Sequence, residues 1–170
     1  MEGVIAIKSR EIIKSTIVDL LLLGVIFYMP ALSHIVSYPL YVFEPMRLVL
    51  FASVLLTRNK SNSFVLAATI PLFSYFVGGH PVLVKSVIMG IELLVNMALF
   101  WLLLKKGVNA FYAAFTSIVV SKVLYYGMKV LLVNWGWMQM NVISTPVLIQ
   151  FGVSFIIALI MFLILKNDKQ

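Results

Sequence analysis

Seven ionisable side chains interrupt otherwise apolar runs of this sequence: Asp19, Glu44, Arg47, Lys85, Glu92, Lys122 and Lys129. At the centre of a membrane helix each costs about 2.5–3.5 kcal/mol on insertion scales, so none is expected to face lipid. They must pair, snorkel or line a polar cavity. Their spacing sorts them into groups. Glu44 and Arg47 are three residues apart and can touch on one helical face. Lys85, Glu92 and Asn96 are separated by seven and four residues and share a stripe. Lys122, Tyr126 and Lys129 are separated by four and three and share another.

Two uses of these groups are open. In the plainer one they are ion pairs that fix helix packing, Glu44 with Arg47 and Glu92 with Lys85 or Lys122, while Lys85 and Lys129 can snorkel singly. In the other they bind a solute. Four basic and three acidic residues leave at least one cation without an internal partner, which suits an anionic group such as a carboxylate or phosphate. Arg47, Lys85 and Lys129 would then contact the anion, with Lys122 on the same stripe as Lys129. Glu44 and Glu92 would orient them or bind a polar group of the solute. Asn96 would donate a hydrogen bond, and Tyr126, Trp135 or Trp137 would stack on a ring. His80, in Gly78-Gly79-His80-Pro81, is a candidate gate or ligand contact, although a lone loop histidine is ordinarily a solvated turn residue.

Other chemistries are poorly served. The chain has no cysteine and two histidines, His34 and His80, so neither a disulfide nor a dedicated transition-metal site is expected. There is no Gly-x-Ser-x-Gly, His-Glu-x-x-His, paired-Asp motif or phosphate-cradling glycine loop. Acid–base catalysis by Glu44 or Glu92 with His80 has no nucleophile or metal centre beside it. No cofactor is expected, and the chain is not read as an enzyme. Without an ATP motif, any pumping must draw on a partner or an ion gradient. Proton coupling through Asp19 and Glu92 stays open.

The elements that carry these residues are legible from composition. The chain has 170 residues, 62% apolar and 11% charged. A soluble domain is about 45–50% apolar and about 25% charged. The mean hydropathy of +1.07 points the same way, to an all-α polytopic membrane protein of one domain. Six spans are expected: Ile12 to Ser37, Phe43 to Thr57, Phe64 to Val77, Val82 to Leu104, Asn109 to Val133 and Val142 to Leu165. The second and third are short for a bilayer that calls for about 20 residues. Gly and Pro punctuate the connections. The charged first 14 residues run straight into the first helix without a small-residue cleavage site, so that helix is expected to be uncleaved.

The remaining charges sort by side. Lys8, Arg10 and Lys14 precede the first span, and Arg58 and Lys60 lie between the second and third. Lys105 and Lys106 lie between the fourth and fifth, and Lys166 and Lys169 follow the sixth. The other three connections carry no Lys or Arg. This alternation predicts both termini on the cytoplasmic side of the membrane. Nine of the thirteen basic residues serve topology, so the +7 charge does not point to nucleic acid. Tyr28, Tyr38, Tyr41, Trp135 and Trp137 fall at outer ends, where interface anchors belong. In this topology Glu44, Arg47, Lys85 and Lys129 lie in the outer half, Glu92 and Lys122 nearer the middle, and Asp19 in the inner half. The small residues Ala110/Ala114 and Ala113/Ser117/Ser121 predict close helix approach.

Six short-looped helices, no energy motif and a polar outer cavity resemble the S component of an energy-coupling factor transporter. Phe43-Glu44-Pro45-Met46-Arg47 and Gly79-His80-Pro81 through Lys85, Glu92 and Asn96 look like small bacterial members of that group. The resemblance implies capture of a vitamin or other micronutrient on the outer side. It also implies a transmembrane coupling subunit and two cytoplasmic ATPases as partners, within membrane lipid. The Ala-x-x-x-Ala pair that members often carry on helix one for docking is missing; small residues such as Ala67 and Ala114 are the candidates to replace it. A scaffolding subunit, like the small membrane proteins of cell-wall elongation complexes, fits the same length and topology. Its spare charges would meet those of a partner helix.

Overall fold

The computed structural model describes residues 2–79, 81–138, 143 and 146–167. Six α-helices and no strand occur among the described residues: α1 Glu2–Val36, α2 Pro45–Thr57, α3 Lys60–Gly78, α4 Leu83–Lys105, α5 Ala110–Asn134 and α6 Val147–Asn167. Five of them, all but α2, are long and apolar enough to cross a membrane, the pattern of a multi-pass membrane protein. α2 has 13 residues, about 20 Å at 1.5 Å per residue, less than a bilayer core.

Several boundaries differ from the sequence expectation. α1 begins at Glu2 rather than Ile12, so its charged leader is helical. α3 begins at Lys60 because Asn59 caps it, its side chain accepting from the Asn62 N–H at 3.2 Å. α6 begins at Val147, directly after Pro146; Val142 lies outside the described residues. Glu44 is expected inside the second helix. It stands instead between a 3-10 turn, Leu40–Phe43, and α2, in the left-handed conformation with φ 54° and ψ 55°. Pro45 accounts for part of this. It fits the first turn of a helix but disfavours helical geometry in the residue before it.

Contacts of α1 with the 3-10 turn and with α2 set the depth at which α2 begins. The Leu40 N–H donates to Ser33 Oγ at 3.2 Å, and Ser53 Oγ donates to Asp19 Oδ1 at 3.1 Å. The two helices are therefore antiparallel, with Arg47 level with about Val25 of α1. α1 continues for eleven more residues to Val36, about 16 Å. Arg47 also pairs with Glu92, which lies nine residues inside the start of α4, about 14 Å. Gln150, in the first turn of α6, meets Lys122, twelve residues before the end of α5, about 18 Å. α2 and α6 thus both start roughly 15 Å below one end of the bundle. That end holds the finish of α1 and α5 and the start of α4. It is called the upper end below.

The apolar core lies between α2, α3, α4, α5 and α6. Leu50, Leu66, Ile70, Met97, Phe100, Ile118 and Met161 are fully buried there. Ala113, Ala114, Ser117 and Ser121 are buried too. They form the small face by which α5 approaches its neighbours, as their spacing predicts. α1 packs mainly on α2, α3 and the 3-10 turn. Only 11% of its apolar span is buried, against 33% for α4 and for α6.

Candidate functional site

Four of the seven intramembrane charges form one network at the depth where α2 and α6 begin. Arg47 uses one terminal nitrogen on Glu44 and the other on Glu92. The second Glu44 oxygen accepts from Lys122. Lys122 also donates to Gln150 Oε1 at 2.7 Å. Tyr126 closes the chain against Gln150, its hydroxyl donating to Oε1 at 2.9 Å and accepting from Nε2 at 2.7 Å. Two cations meet two carboxylates, so the network is neutral. Glu44, Arg47 and Glu92 are largely shielded from solvent, and removing one partner of such a buried set costs about 3–5 kcal/mol.

The backbone places these groups deliberately. The left-handed turn at Glu44 lets its carboxylate face both Arg47, three residues on, and Lys122 of α5. A non-glycine residue held there carries about 1–3 kcal/mol of strain, which the surrounding contacts must offset. Glu44 also sits at the positive end of the α2 dipole, where a carboxylate is favoured. The pairing of Glu92 is with Arg47 rather than with Lys85 or Lys122.

Lys85 and Lys129 stay outside this network. Lys129 is 0% exposed, and its Nζ has no hydrogen-bond partner. A tyrosine face, Tyr125, lies 6.0 Å from that nitrogen. Lys85 is half-buried, is close enough for its charge to act on Lys129, and forms no ion pair among the described residues. Asn96 is fully buried; its oxygen accepts from Ser117 at 3.1 Å, and its Nδ2 has no partner. Arg47 Nε is likewise buried and unpartnered. Trp135 is 67% exposed beyond the end of α5 and joins none of these contacts. Trp137 is exposed as well. His80 lies outside the described residues.

Asp19 belongs to a separate cluster. It accepts from Ser53 and, at 3.0 Å, from Asn62, tying α1 to the α2–α3 connection. Trp101 donates to Ser63 at 2.9 Å and ties α4 to the start of α3.

Sequence reasoning missed Gln150. A signal for it existed: Gln150 and Ser154 are four apart in an otherwise apolar helix, so they share a face. Both are buried. With Lys122 and Tyr126 they line a cleft of about 250 Å³ between α5 and α6, whose other walls include Val119, Val123, Val147 and Phe151. The cleft surface is almost wholly apolar, and the polar ends of Lys122, Tyr126 and Gln150 are turned to one another. No metal-type cluster of His, Asp or Glu occurs among the described residues. No protein-family model, curated protein or solved structure matches this chain.

Proposed function

We propose that the protein is the solute-binding membrane subunit of an uptake transporter, of the energy-coupling factor S-component kind. It would take a small, oxygen-bearing molecule from outside a bacterial inner membrane. Both termini are cytoplasmic in this reading, and α2 with its 3-10 approach completes a six-segment bundle. One observation carries the proposal. Among the described residues, the three buried polar side-chain atoms without a partner, Arg47 Nε, Asn96 Nδ2 and Lys129 Nζ, are all donors. A buried donor without an acceptor costs about 1–3 kcal/mol, and more when charged. A ligand that brings an oxygen atom to such a donor recovers that cost there. The start of α2 at mid-depth supports the reading, since a short helix that begins inside a bilayer turns its positive dipole end toward solutes. In this reading a coupling subunit and its ATPases supply the energy.

A second reading is favoured by α1, whose span is the least covered of the five. A scaffolding subunit would offer that side to a partner helix. Native mass spectrometry of the gently extracted chain separates the two, with small-molecule identification after denaturation. One small molecule per chain, rich in oxygen acceptors, is the expected result. A bare chain, or one that retains a second membrane protein and no small molecule, overturns the solute-binding proposal.

A further inference from the structure

The groove between α4 and α5 is set in register by one contact. Ser117 Oγ donates to Asn96 Oδ1 at 3.1 Å, and the helices run antiparallel there. Eleven residues up α4 from Asn96 is Lys85, and twelve residues up α5 from Ser117 is Lys129. The two lysines are therefore level across the seam, three turns above the contact. Lys85 is in the first turn of α4. That turn is uncapped: Val82 stands at the N-cap and supplies no side-chain acceptor. The N–H groups of Leu83, Val84 and Lys85 precede the first intrahelical bond, Ser86 N–H to the Val82 carbonyl. They find no acceptor among the described residues.

Three sources of positive potential thus converge at one level. They are the half-buried Lys85 ammonium, the fully buried and unpartnered Lys129 ammonium, and the free N–H groups of a 23-residue helix. A helix start of this kind carries roughly half a positive charge and binds anions. No carboxylate on any described element neutralises either lysine: Glu44 and Glu92 are committed to Arg47 and Lys122, and Asp19 to Ser53 and Asn62. Two ammonium groups at one level of a low-dielectric seam repel. One anion between them converts that repulsion into two charge-assisted hydrogen bonds.

We propose that the upper end of the α4–α5 seam is a seat for one oxyanion, a carboxylate or phosphate, held by Lys85, Lys129 and the first turn of α4. This deepens the solute-binding reading on which it rests by naming the anionic class of the solute. It moves the anion away from Arg47, whose charge the two glutamates already neutralise. Access is from the Lys85 side, because Lys129 is closed off from solvent. The oxyanion can belong to a dissolved solute or to the headgroup of an anionic lipid, and the experiment tells these apart.

The full chain, Lys85→Gln and Lys129→Met are purified alike and examined by native mass spectrometry. Melting is also followed with sodium phosphate or sodium acetate, against sodium chloride at matched ionic strength. The expected result is an anionic small molecule on the wild type that both variants lose. A melting temperature raised by phosphate or acetate over chloride is also expected, at concentrations at least about tenfold lower than either variant needs. Lys129→Arg retains the charge and is expected to keep the small molecule, which guards against reading a folding defect as lost binding. A phospholipid adduct lost in both variants keeps the seat and assigns it to a lipid. A small molecule retained equally by wild type and both variants overturns the seat and leaves the solute-binding reading standing. No small molecule or lipid on any chain, with no response to phosphate or acetate over chloride, overturns both.

Discussion

At the lower end of the bundle, Asp19 accepts from Ser53 and Asn62, and Trp101 donates to Ser63. From mid-depth upward, Arg47 Nε and Lys129 Nζ are buried with nothing to donate to. The lower polar groups lie where α1, α3 and α4 pass the α2–α3 connection, and each bond joins two helices. The upper ones lie at or above the level where α2 and α6 begin, so fewer helices supply acceptors. The difference teaches that buried polarity has two uses in one small bundle. Below, it fixes how helices pack. Above, it is left unfilled at a cost that packing does not explain.

Substitutions can break this division or sharpen it. The largest effect is expected from Glu92→Leu, which leaves Arg47 with one carboxylate in a buried site. A loss of about 3–5 kcal/mol is expected, read as a fall of roughly 10 °C in melting temperature. Melting unchanged from wild type would mean that the network contributes nothing to the fold. Asp19→Ala comes next. It leaves Ser53 and Asn62 without their shared acceptor and should cost about 1–3 kcal/mol, with retention of the bound small molecule unchanged. Lost retention there would erase the distinction between the two ends.

Trp101→Phe keeps the ring and removes the bond to Ser63. About 1 kcal/mol is expected in thermal melting, again without change in binding. Trp135→Ala should be the mildest, within about 0.5 kcal/mol. Because Trp135 projects beyond α5, the small molecule should remain bound. Loss of binding in Trp135→Ala would restore its expected role as a stacking platform.

Much of this was legible in the residues. Composition and hydropathy point to the all-helical membrane class. The alternation of Lys and Arg marks the connections, and the spacing of Ala113, Ser117 and Ser121 marks the close face of α5. The i, i+3 spacing of Glu44 and Arg47 anticipated their pairing. The partner of Glu92 was harder. Lys85 shares its helix and Lys122 is charged and near mid-span, but α2 starts at mid-depth and brings Arg47 to Glu92 first. That depth depends on the left-handed turn at Glu44, and a pre-proline glutamate does not announce such a turn. Gln150 was overlooked because a neutral amide costs little compared with a charge, so the search for expensive residues passed over it. The register that sets Lys85 level with Lys129 needed the Asn96–Ser117 contact, which no spacing within one helix encodes.

The central claim is that the upper donors are completed by a bound molecule. The most direct measurement is the melting temperature of the intact chain before and after its small-molecule fraction is washed out, with that fraction then added back. The account predicts a drop on washing and recovery on add-back. The same cycle should appear in Asp19→Ala, from its lower starting point, and vanish in Lys129→Met. A washed wild-type chain that melts where the unwashed one does, and ignores the added fraction, would contradict it.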